Sequence, residues 1–108
     1  MRLLFDQGTP VPLRHHLLAH SVETAYERGW STFKNGDLLS SAEADGFDGI
    51  VPTDQNLRYQ QELIQRRIGI IVLMTTSWPR IRNYIALIVA AVEKIHPGSY
   101  EEIHFPPS

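Results

Sequence analysis

Short apolar runs alternate with amphipathic stretches along the chain, the pattern of a βαβ domain built on a parallel sheet. Leu3-Leu4-Phe5 reads as a first strand, stopped by Asp6-Gln7-Gly8. Thr9-Pro10 offers an N-cap and a proline in the first helical turn, and Leu13, Leu17 and Leu18 predict the buried stripe of that helix. Val22 to Ala25 is a short strand candidate, and Gly29 to Thr32 reads as a loop. A second helix opens at Asn35-Gly36-Asp37, carries Leu38, Leu39, Ala42 and Ala44, and ends where Gly46 can take the left-handed C′ position. Gly49-Ile50-Val51 is a buried strand bounded by Pro52 and Thr53, and the polar stretch Asp54 to Ile64 predicts a helix. Ile68 to Leu73 is apolar at nearly every position, as a parallel strand covered on both faces should be. Thr75-Thr76-Ser77 then caps a long helix in which Ile81, Ile85, Ile88, Val92 and Ile95 recur at helical spacing, until Pro97-Gly98 stops it. Tyr100 to Phe105 alternates like an edge strand, and Pro106-Pro107 closes the chain.

At 108 residues this is one domain, residues 1–108, with enough length for a single core. The chain has no cysteine, which excludes disulfide scaffolds, thiolate metal sites and cysteine nucleophiles, and points to the cytoplasm. Asp6 interrupts the N-terminal apolar run too early for a signal peptide. The longest apolar run, Ile85 to Val92, falls far short of the roughly 20 residues that span a bilayer, so no membrane association is expected. The net charge of −2 argues for no partner, but its distribution is uneven. Residues 1–54 hold four bases and eight acids, whereas Arg58 to Arg82 contains five arginines against Glu62 alone.

Candidate chemistry lies where the strands end, because open parallel sheets bind ligands outside their carboxyl ends. Asp6, Asp54 and Thr75 leave those ends, and the second helix can bring Asp37 to the same rim. Carboxylates from separate strands are the donors that Mg²⁺ takes, and a metal-bound water becomes a nucleophile near neutral pH. Each acid also has a structural role open to it: Asp6 in a turn through Gly8, Asp37 in a first helical turn, and Asp54 as an N-cap.

Three segments carry a resemblance to a known family: Leu4-Phe5-Asp6-Gln7, Asn35-Gly36-Asp37-Leu38-Leu39, and Pro52-Thr53-Asp54-Gln55-Asn56 followed by Ile70 to Leu73. Together with Ser77-Trp78-Pro79-Arg80-Ile81-Arg82 they resemble a compact bacterial PIN-like family of nucleases, discussed as toxins of toxin–antitoxin pairs. The resemblance spans nearly the whole chain. It implies a three-layer α/β/α sandwich with a mainly parallel sheet, in which an acidic cluster holds Mg²⁺ or Mn²⁺ and hydrolyses RNA. Asp6 matches the acid ending the first strand, and Asp54, beside Thr53, matches the acid of a Thr-x-Asp-x-Asp element whose last position is Asn56 here. The acid at the head of the second helix is replaced by Asn35, with Asp37 two residues on. The expected metal and catalytic set is therefore Asp6, Asp37 and Asp54, oriented by Asn35, Thr53 and Asn56. Those departures also suit a second reading, a catalytically degenerate PIN-like module that binds a partner or nucleic acid.

Arg58, Arg80 and Arg82 are candidate phosphate contacts, with Tyr59 or Trp78 available for stacking, while Arg66 and Arg67 suit an exposed helix and its following turn. His16 and His20 share a helical face at i, i+4 but lack a third ligand, so surface histidines are expected. A receiver-like phosphoacceptor domain is a distant third reading, since Gln7 stands where it needs an acid and no lysine follows Lys94. The run Ile85 to Val92 is apolar all round, so with Ile81, Ile85, Ile88 and Val92 on the sheet, Leu87 and either Ala90 or Ala91 require other cover. A homodimer through the Leu87 face would provide it.

Overall fold

Five strands of three to five residues, aliphatic runs at the centre and mixed polar segments at the edges, form a single sheet in the computed structural model of the chain, which describes residues 1–57 and 66–106. The strands are β1 (Arg2–Phe5), β2 (Ser21–Thr24), β3 (Gly49–Val51), β4 (Gly69–Leu73) and β5 (Tyr100–Ile103). Their spatial order is β2-β1-β3-β4-β5, and every pair is parallel. β1 and β3 pair, with Leu4 opposite Ile50 and Phe5 opposite Val51.

Successive strand residues feed two different cores, as the two-residue period of a strand requires. Leu3, Phe5, Val51, Ile71, Leu73 and Ile103 enter one cluster, and Leu4, Ile50, Ile70 and Val72 enter the other. The first is closed by Leu13 and Leu17 from a 3-10 turn at Val11–His16, and by Ile81, Ile88 and Val92 from the helices α2 (Trp78–Ile81) and α3 (Ile85–Glu93). The second is closed by Leu38, Leu39 and Ala42 of α1 (Asn35–Ala44), with Phe47 and Leu57 beside them.

Local chemistry sets the ends of α1. Gly46 adopts φ +83° and its N–H donates to the Glu43 carbonyl, while the Phe47 N–H donates to that of Ala42. This pair of bonds is the Schellman motif, and it places Gly46 at C′ as its sequence position suggests.

Two expectations need correction. The helix after Thr9-Pro10 is only the six-residue 3-10 turn, because Pro10 and Pro12 supply no N–H donors and the short connection must return at once to β2. Leu18 is consequently 80% exposed rather than part of a stripe. The long helix after Ser77 is split by a 3-10 turn at Arg82–Tyr84. There Tyr84 leaves helical geometry at φ −126° and packs edge-on against Phe105, 5.7 Å away, in the segment after β5. On α3, Leu87 and Ala90 are exposed as expected, and of the two alanines it is Ala91 that is buried. The expected helix from Asp54 falls largely on residues 58–65, and with Arg58 and Tyr59 it lies outside the described residues. Among the described residues no helix is long and apolar enough to cross a membrane.

Candidate functional site

The strand order places a switch between β1 and β3: the chain leaves β1 for β2 on one side, then crosses to β3 on the other. In doubly wound sheets of this order, the crevice at that point is where ligands bind. Asp6 follows β1 directly, and Thr53 and Asp54 follow β3.

Asp6 is held by four donors. Its Oδ1 accepts from the Gly8 N–H at 3.1 Å, the Thr9 hydroxyl at 2.6 Å and the Thr53 hydroxyl at 3.4 Å, and its Oδ2 accepts from the Thr53 N–H at 3.0 Å. The turn through Gly8 is therefore real, and it serves to aim the carboxylate. A side chain at position 8 would collide with the Thr53 hydroxyl, so only glycine allows this approach. The buried Thr9 hydroxyl is also 2.6 Å from the Val51 carbonyl oxygen, so its one proton is shared between the carboxylate and strand β3.

Asp54 is less enclosed. Its Oδ1 accepts from the Asn56 N–H at 2.8 Å, and its Oδ2 accepts from the side-chain amide of Asn35 at the start of α1. A pocket of about 190 Å³ opens among Asp6, Thr53, Asp54 and Asn35, with Trp30 and Phe33 also in its wall. A second hollow of about 270 Å³ shares Asp6 and Gln7 with it and is bounded by Arg14, Tyr26 and Glu27. Asp6, Thr53, Asp54 and Asn35 thus come together. Asp37 is exposed on the first turn of α1 and does not line the pocket, and Asn56 contributes its backbone N–H while its side chain faces solvent.

Mg²⁺ and Mn²⁺ are held through one or two protein carboxylates completed by water. Both oxygens of Asp54 and the Oδ2 of Asp6 each take one donor, which leaves lone pairs on three oxygens of two carboxylates, enough for a cation of that kind. Among the described residues no group of three histidine, aspartate or glutamate side chains is placed to hold a metal. His16 packs its ring 5.9 Å from that of Trp78, and His20 Nδ1 lies 3.3 Å from the N-terminal amine, so the i, i+4 pair does not form. Arg80 and Arg82 are exposed at the start of the β4–β5 crossover without an ion pair among the described residues. Arg66 instead pairs with Glu43 at 2.8 Å, whose other oxygen accepts the Arg67 N–H.

Sequence reasoning placed a loop at Gly29 to Thr32 but missed that the β2–α1 connection walls both hollows. Its signal was legible: Thr24-x-x-Glu27 is a capping box. The Glu27 N–H donates to the Thr24 hydroxyl at 3.1 Å, and the Thr24 N–H donates to the Glu27 carboxylate at 2.9 Å. Comparison with family models, curated proteins and solved structures finds no match for the chain.

Proposed function

We propose that the chain is a PIN-like, metal-dependent ribonuclease with a three-layer α/β/α fold, acting at the Asp6–Asp54 rim. The observation that carries this reading is the convergence of two carboxylates from separate strands on one open pocket at the switch point of the sheet. The two-sided core supports the layer arrangement, and the resemblance of the segments around Asp6, Asn35 and Asp54 supports the family.

In this reading Asp6 and Asp54 hold Mg²⁺ or Mn²⁺, which when bound neutralises charge on a phosphoryl oxygen and acidifies a water. The chain's own residues do the positioning. Gly8, Thr9 and the Thr53 hydroxyl lock the Asp6 carboxylate through Oδ1, and Oδ2, which takes the Thr53 N–H, keeps acceptor capacity to spare. The Asn35 amide fixes the rotamer of Asp54. Asp37, one turn into α1, reaches the site only through water. Arg80 and Arg82 supply phosphate contacts whose charge is not already spent on an acid. An antitoxin protein as partner belongs to the same proposal.

Cleavage of single-stranded RNA in Mn²⁺ is the test. Asp6→Asn and Asp54→Asn are each expected to lower the rate at least 100-fold with an unchanged far-ultraviolet circular dichroism spectrum. Absence of cleavage together with absence of Mn²⁺ binding at millimolar concentration would overturn the proposal. One observation favours the degenerate-module reading: neutral Asn35 occupies Asp54 where the family places an acid, and Asp37 stands outside the pocket. RNA binding that persists in EDTA without cleavage in Mn²⁺ is the result that reading expects.

A further inference from the structure

We infer that Tyr26 and Phe33 are stacking platforms for the bases on the two sides of a phosphate held at the acidic rim, so that the site selects an unpaired strand. The inference rests on the phosphodiester reading above. Asp6 and Gln7 belong to both hollows and stand between them. Each hollow carries an aromatic ring that the cores do not use: Tyr26 is 77% exposed and Phe33 is 39% exposed. Both rings come from the single loop joining β2 to α1.

The Phe33 ring is held in place before any ligand arrives. It stacks on Trp30 with centroids 6.0 Å apart and 15° between planes, and the Arg28 guanidinium lies 4.7 Å from the Trp30 centroid. A ring fixed in this way loses little freedom when a base settles on it. Large aromatics left in water on both flanks of a carboxylate pair fit a ligand with flat faces on either side of an anionic centre, and a nucleic-acid strand has that form. Base–aromatic stacking tolerates any sequence because every base has a π-face, but a paired base already has both faces covered by its neighbours. Lys34, next to Phe33, is exposed and has no ion pair among the described residues, which places a free cation where the adjoining phosphate would run.

The probe is a fluorescein-labelled 2′-O-methyl adenine decamer, single-stranded or paired with its complement, titrated with the full chain in magnesium and read by anisotropy. The single strand is expected to bind at least tenfold more tightly than the duplex. Tyr26→Ala and Phe33→Ala are each expected to weaken single-strand binding about tenfold, within the range for losing one base–aromatic stack, at an unchanged melting temperature. Tyr26→Phe, which keeps the ring, should retain the affinity. Equal binding of strand and duplex, no binding of either, or alanine variants that bind like the native chain overturns the inference. If the strand is held through these rings while the native chain leaves RNA intact in Mn²⁺, the hydrolytic reading falls and the stacking stands. Cleavage by the native chain with unweakened binding by the alanine variants removes the stacking alone.

Discussion

Asp6 shows how a residue with an ordinary structural role can also be prepared for chemistry. Two backbone N–H groups and two hydroxyls converge on its carboxylate, and three of the four fall on Oδ1. Thr9 and Thr53 are both buried, and Thr9 also ties the carboxylate to the Val51 carbonyl of the neighbouring strand. Thr9→Val keeps the shape and deletes the hydroxyl, leaving a buried carbonyl with one partner fewer. A loss of about 1–2 kcal/mol in urea denaturation is expected, with Thr9→Ser restoring most of it. A Thr9→Val variant as stable as the native chain would show that the hydroxyl carries no weight. The acids at strand ends, and Asn35 and Thr53 beside them, were legible because strand boundaries follow from apolar runs and their polar stops. Asp37 does not line the pocket, and a sequence reading cannot tell which face of the first turn of α1 meets it. Asn35, two residues earlier, is the one that does.

At the scale of elements, regular segments were readable and irregular ones were not. β1, β3 and β4 followed from apolar runs and β5 from alternation, and α1 followed from its leucines and from Gly46, whose positive φ only a residue without Cβ adopts at little cost. The two segments read as longer helices broke for tertiary reasons: return to β2 in one case, capture of Tyr84 by Phe105 in the other. The turn after β2 depends on the reciprocal bonds between Thr24 and Glu27, and the Arg14 guanidinium lies 2.9 Å from the same carboxylate. The Thr24 N–H, then the Thr24 hydroxyl and Arg14, hold the Glu27 carboxyl below its ordinary value of 4.5. A carboxyl with a depressed value in the folded state favours folding when ionised. Its contribution is complete above the unfolded value and fades as pH falls through the folded one. Glu27→Gln is therefore expected to lower the urea midpoint at pH 7, and the gap to the native chain should narrow as pH falls below the ordinary carboxyl value. A gap that stays constant with pH would mean the bonds, not the charge, set its contribution.

The whole molecule is a thin sheet with a core on each side, and the remaining question at this scale is what covers α3. Ile88, Ala91 and Val92 enter the core, and Ile85 and Val89 pack partly against it. Leu87 stays 49% exposed, with Ala86 and Ala90 exposed beside it. Phe105, after β5, packs on Tyr84 at the start of α3, and Leu87 stays half-exposed among the described residues. One leucine and two alanines are far less than the roughly 800 Å² per partner of a stable interface. Ala86 and Ala90 are nonetheless small residues beside Leu87, which lets a second helix approach closely. The proposed cover is a second copy of the chain, packed α3 against α3 about a two-fold axis, so that each Leu87 meets the alanines of its partner. Light scattering at tens of micromolar should then give twice 12.3 kDa for the native chain. Leu87→Glu should return it to 12.3 kDa, because the axis would bring two carboxylates together in an apolar contact. A native particle of 12.3 kDa at that concentration rules out the dimer, and a dimer that Leu87→Glu leaves intact places its interface elsewhere.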